Sequence, residues 1–196
     1  MLVYMSRSYD RKRGLTGVPP VMKGGHGGNL FPQTNIALSN KNVLDLVDHK
    51  ANVILYPDLH KYTDIDQILY PHDACFLLYE IESGYGHWCA VLKIANDTIH
   101  FFDPYGKFPD SQLKWISEPF KTISNQNHSY LLQLMYKSKY KLTYNTQQFQ
   151  KYGNNIKDCG RWCSIRILCK DLTPQQFTHL FKSKYGDDLV TLLTIN

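Results

Sequence analysis

The stretch that most constrains this chain is HWCAVLKIANDTIHFFD, residues 87–103. Two β-rich runs flank Asn96–Asp97, a pair suited to the tight turn of a β-hairpin. Antiparallel pairing then sets the start of the first strand beside the end of the second. His87 or Trp88 is expected opposite Asp103, so the end of the hairpin away from its turn would carry an imidazole and a carboxylate.

Other elements follow from capping and periodicity. Ser39 is a good N-cap for a helix burying Val43, Leu44, Leu46 and Val47. Strands are expected at 53–56, 74–81 and 140–144, and a helical turn at 64–69. Further helices are expected at 109–116 (stopped by Pro119), at 129–137, as an amphipathic run over 160–172, at 173–186 between Thr173 and Gly186, and at the C-terminus. The pattern is α+β, with a small, mostly antiparallel sheet flanked by helices.

The 196 residues suffice for one domain with a real core. Residues 1–37 read differently: they are rich in Gly and Pro, and lack apolar periodicity. They carry Arg7, Arg11, Lys12, Arg13 and Lys23 against Asp10 alone, so most of the net charge of +5 belongs to this arm. A weak DNA contact is expected of the arm at most, with 38–196 as the globular body. No apolar run nears the roughly 18–20 residues of a membrane span. The charges of the N-terminal stretch follow its apolar residues, the reverse of a secretory signal. Five cysteines, an odd number set mostly in apolar runs, argue for free thiols in a reducing compartment.

Cys159 departs from that apolar pattern. In KDCGRWC it stands between Asp158 and Gly160 where a helix begins. Free N–H groups and the helix dipole favour a thiolate there, and the same N–H groups suit an oxyanion. The missing partner is a base. His26, His49, His60, His72, His128 and His179 lie in loops or on polar faces, and His100 is mid-strand. His87 stands at a strand start and is the candidate, with Asp103 to orient it. Cys159 and Cys163 share a helix face, but their spacing fits no metal knuckle, so no metal or other cofactor is expected.

These segments resemble the adenain-like and SUMO-protease-like cysteine peptidases, which show His-Trp, then Asp-x-x-Gly, then Gln shortly before Asp-Cys-Gly. The matching text here is GHWCAVLKIANDTIHFFDPYG and QKYGNNIKDCGRWC, and element order agrees over roughly 38–172. The resemblance implies a papain-like peptidase domain with the chain order His–Asp–Gln–Cys. It makes Cys159 the nucleophile, His87 the base and acid, Asp103 the orienting carboxylate and Trp88 a wall of the substrate site. It makes Gln150 the oxyanion ligand, with Gln147 and Gln148 as neighbouring choices. Asp103-Pro104-Tyr105-Gly106 departs from the family's Asp-Ser-x-Gly but keeps the carboxylate and the glycine.

The expected activity is a monomeric thiol endopeptidase acting on protein substrates. These would be viral capsid or scaffold precursors, cut after small residues such as Gly-Gly, in the virion and the host cytoplasm. A ubiquitin-like-protein deconjugase and a non-catalytic protein-binding relative are the alternatives. Met22-Lys23-Gly24-Gly25-His26 resembles the adenain cleavage consensus and marks the arm as a candidate self-cleavage or occluding segment.

Overall fold

The computed structural model describes residues 35–153 and 156–195; the arm through residue 34, with its Met22–His26 stretch, lies outside them. Five strands form one sheet in sequence order: β1 (Asn52–Leu55), β2 (Ala74–Glu82), β3 (Tyr85–Ala95), β4 (Thr98–Phe102) and β5 (Lys141–Tyr144). β2–β3 and β3–β4 are antiparallel, but β1–β2 and β4–β5 are parallel. The sheet is therefore mixed, which corrects the mostly antiparallel expectation. Parallel neighbours need a crossover of a dozen or more residues. Residues 56–73 and 103–140 supply the two crossovers, which no local pattern announces.

The helices are α1 (Asn40–Leu46), α2 (Asp66–Leu69), α3 (Glu118–Ile123), α4 (Tyr130–Lys137), α5 (Cys159–Leu168), α6 (Pro174–Phe181) and α7 (Gly186–Leu193). Ser39 caps α1 and Thr173 caps α6, each in a capping box. The helix expected over 109–116 is a 3-10 turn, Ser111–Trp115. Pro119 does not stop it but sits in the first turn of α3, where its missing N–H costs nothing.

Apolar side chains alternate across the sheet and build two cores. One face sets Phe76, Leu78, Trp88, Ala90 and Phe102 against α5, Phe177, Phe181 and Val190. The other sets Leu77, Tyr79, Cys89, Val91 and Phe101 against Tyr56, Ile65, Ile68, Leu131 and Met135. α5 is buried on every side from Cys159 to Ile167, so it is a central helix and not the amphipathic one expected. Even Arg166 is fully buried: its guanidinium donates to the carbonyls of Cys169 and Leu172 at the helix end and lies 5.1 Å from the centre of the Phe177 ring. All five cysteines are free thiols. No helix among the described residues is long and apolar enough to cross a membrane.

Candidate active site

The hairpin register differs from the expected one. Ala95 pairs with Thr98 across the two-residue turn, which in a regular ladder would set Asp103 opposite Ala90; the irregularity between Lys93 and Ala95 shifts the ladder by one, and Ala90 pairs with Phe102. Asp103 consequently falls one step further, level with Cys89 and not with His87 or Trp88. His87 and Cys89 are two residues apart on β3 and share a face. The imidazole reaches back along that face, and His87 Nε2 lies 2.9 Å from Asp103 Oδ1 with both side chains sealed from solvent.

Asp103 is held from every direction. The Tyr105 N–H donates to Oδ1 at 2.8 Å, and Gln112 Nε2 donates to Oδ2 at 2.5 Å. Asn145 clamps its backbone, accepting from the Asp103 N–H at 2.9 Å and donating to its carbonyl at 2.7 Å. Burial pushes the Asp103 pKa up, yet His87 and the Tyr105 amide outweigh it and the carboxyl stays below its ordinary value. Burial lowers the His87 pKa, with Asp103 pulling the other way. An ionised carboxylate only accepts, so Nε2 of a neutral His87 carries the proton and Nδ1 keeps its lone pair. Nδ1 is buried and has no hydrogen-bond partner among the described residues.

Cys159 opens α5 and is 3 % exposed. Burial pushes its thiol pKa up to about 12, against backbone hydrogen bonds of Trp88 and Gly160 that favour the thiolate. A backbone group that favours an anion is an N–H donor. Trp88, whose backbone favours the thiolate, is the residue after His87. One turn on, the Cys163 thiol donates to the Trp88 carbonyl at 3.4 Å, which fixes α5 along the same edge of β3. The helix start was expected to lower the thiol pKa; in this closed site desolvation wins. Asp158 does not cap the helix. It is buried, accepts from the Thr191 hydroxyl at 3.3 Å, and its pKa is pushed up to about 8 by burial and by Asp187.

Gln150 is fully buried, and its backbone N–H donates to the Pro104 carbonyl at 3.0 Å, which ties it to the Asp103 turn. Its Nε2 donates to the Tyr105 hydroxyl at 3.0 Å and to the Ile156 carbonyl at 3.3 Å, and its Oε1 has no partner among the described residues. Gln147 and Gln148 spend their side-chain N–H groups on the carbonyls of Gln148 and Gln150, bracing the loop. Only Gln150 of the three reaches the His87–Asp103 neighbourhood.

Trp88 is 3 % exposed. Its indole N–H donates to the Leu38 carbonyl at 3.0 Å, and Gly160 and Phe76 pack against it. His100 accepts or donates at Thr143 within the sheet, its pKa lowered to about 3 by burial, well away from the helix start. His87, Cys89 and Asp103 bring a nitrogen, a sulfur and a carboxylate oxygen within 4.8 Å of one another, and the His87–Asp103 hydrogen bond accounts for most of that closeness. Sequence reasoning missed Tyr105, Gln112 and Asn145. The turn glycine Gly106 (φ +68°) signalled the bend that brings Tyr105 in, but nothing local marked Gln112 or Asn145.

The chain is 44% identical over 171 residues to "Uncharacterized protein V9" of Sputnik virophage, covering 82% of this chain and 95% of that protein. It belongs to the family of that virophage protein. No family model matches the sequence. Among solved structures, the SUMO protease Ulp1 with its catalytic cysteine oxidised to a sulfinic acid is similar over 81% of this chain and 75% of that one, with 14% identity and a TM-score of 0.41. A likeness of that size leaves the chemistry of this V9-family member to be argued from its own residues.

Proposed function

We propose that this protein is a cysteine endopeptidase of the adenain-like and SUMO-protease-like kind. The observation that carries the reading is the His87 imidazole, fixed through Nε2 by a buried carboxylate while Nδ1 has no hydrogen-bond partner among the described residues, one residue before Trp88, whose backbone favours the Cys159 thiolate. Nδ1 takes the thiol proton as sulfur attacks a peptide carbonyl. The imidazolium, steadied by Asp103, then returns that proton to the leaving amine, and water hydrolyses the thioester. N–H groups at the start of α5, with Gln150, receive the oxyanion. The Leu38 segment packs over Trp88 and Gly160, the neighbours in sequence of His87 and Cys159.

The substrates we propose are viral capsid or scaffold precursors cut after small residues such as Gly-Gly, with action in the virion and the host cytoplasm. The virophage origin of the relative supports a viral setting. Domain 38–196 would carry the activity and the arm would regulate or contact nucleic acid. Purified protein and its Cys159→Ala variant should be incubated with virion precursors, with fluorogenic ubiquitin and SUMO amides, and with iodoacetamide. Precursor cleavage that needs Cys159 supports the maturation role; selective turnover of a ubiquitin-like amide shifts the reading to a deconjugase. A Cys159→Ala protein that still cuts, or a Cys159 no more reactive than the other thiols, overturns it.

A further inference from the structure

Tyr105 touches three residues of this site: Asp103, His87 and Gln150. Its amide binds Asp103, and its ring stacks on His87 with centroids 5.0 Å apart and planes 22° from parallel. Tyr152 stacks on the Tyr105 ring as well, at 4.8 Å and 11°, so Tyr105 is the middle of three near-parallel rings. Its hydroxyl is the partner of Gln150 Nε2, and the side chain is 2 % exposed.

The Gln150 amide is oddly spent. Both Nε2 protons go to the Tyr105 hydroxyl and the Ile156 carbonyl, leaving none for an oxyanion, while the buried Oε1 has no partner among the described residues. A buried carbonyl without a donor is costly. Turning the amide over about its last bond exchanges the two atoms. A tyrosine hydroxyl both donates and accepts, so it meets either orientation. In the turned form the Tyr105 O–H donates to Oε1, the 3.3 Å bond to the Ile156 carbonyl is given up and that carbonyl must move away from Oε1, and Nε2 occupies the direction in which Oε1 now stands. Burial also keeps the phenol well above its ordinary pKa, so the donor proton is retained.

We propose that Tyr105 is a positioning residue for the peptidase reaction, whose hydroxyl holds Gln150 with its N–H turned to the oxyanion while its ring fixes the plane of His87. The inference rests on the peptidase reading and separates from it in the laboratory. Tyr105→Phe keeps the ring and the backbone contact to Asp103 and removes only the hydroxyl. Cleavage of a fluorogenic peptide amide ending in Gly-Gly should lose about tenfold in kcat with little change in KM, a fraction of the roughly 100-fold or greater cost of deleting an oxyanion donor. Alkylation of Cys159 by iodoacetamide needs no oxyanion, so its rate and pH profile should match wild type. Gln150→Ala should lose more, and Tyr105→Phe/Gln150→Ala should be no slower than Gln150→Ala. Wild-type kcat in Tyr105→Phe, multiplying losses in the double variant, or an equal fall in alkylation would each overturn the proposal alone. A wild-type Cys159 that neither cleaves peptide nor alkylates selectively would instead sink the peptidase reading, and this inference with it.

Discussion

His87 and Asp103 do not face each other across the hairpin, yet their side chains meet at 2.9 Å. The pair is made by the imidazole reaching along one face of β3 to a carboxylate that leaves β4 level with Cys89. Gln112, Tyr105 and Asn145 hold Asp103 in place.

That arrangement makes the Asp103 carboxylate the determinant of the His87 tautomer. Asp103→Asn offers an amide where Nε2–H needs an acceptor, so the imidazole can place its proton on Nδ1, the wrong nitrogen for accepting one from the thiol. Peptide cleavage should fall by about 10²–10⁴-fold, as expected when an orienting carboxylate loses its charge. Circular dichroism and melting should show a folded protein. Activity within threefold of wild type would remove Asp103 from the mechanism.

The pH dependence follows from His87. Burial holds its pKa below the ordinary 6.5, with Asp103 pulling upward against it. The proton-accepting form therefore persists into mildly acidic solution, and the acid limb of kcat/KM should lie below pH 6.5. The same limb should appear in the alkylation rate of Cys159. In Asp103→Asn the upward pull is gone, so the residual limb should move lower still. A limb at or above neutrality would mean that His87 is not the group titrating.

Gly86 fixes the strand that delivers His87. A Cβ at this position would collide with the carbonyl oxygen of Tyr79 and stand 2.9 Å from the Glu80 Cα, both backbone of the neighbouring strand. Neither can swing aside as a side chain would. Gly86→Ala should force β2 and β3 apart beside the catalytic imidazole, destabilise the fold by about 1–3 kcal/mol, and cut activity more than the lost stability alone explains. Thermal melts paired with cleavage assays below the melting range test both parts. An alanine variant with unchanged melting and rate would show that the strands do not pack this closely.

The legible parts of the molecule were the local ones. The β3–β4 turn at Asn96–Asp97, the caps at Ser39 and Thr173, and a helix opening at Cys159 all rest on a few adjacent residues. The parallel edges escaped because each depends on a crossover longer than any pattern window. Gln112 and Asn145 escaped for the same reason: each reaches Asp103 across 9 or 42 residues of chain. Choosing among Gln147, Gln148 and Gln150 required the backbone bond of Gln150 to Pro104. The cover over Trp88 was not legible either, because nothing in the sequence shows that its indole donates to the Leu38 carbonyl.

Asp158, the acidic neighbour of the nucleophile, supplies a separate test of the closed site. Its carboxyl is fully buried, one oxygen lacks a hydrogen bond among the described residues, and the Arg161 Nε stands 3.5 Å from the other. Burial first, then Asp187, pushes its pKa up to about 8, against the pull of Arg161. A carboxyl raised on folding contributes stability that is complete below its unfolded pKa, near 4, and is lost as pH climbs to about 8. Asparagine has the same shape and does not titrate. Asp158→Asn should therefore melt close to wild type at pH 4 and about 5 °C or more higher at pH 8, with the gap widening steadily between. Other titrating groups are common to both proteins and cancel in the difference. A gap that stays constant, or a wild type that is the more stable at pH 8, would show that Asp158 is ionised and paired with Arg161 instead of carried neutral beneath the nucleophile.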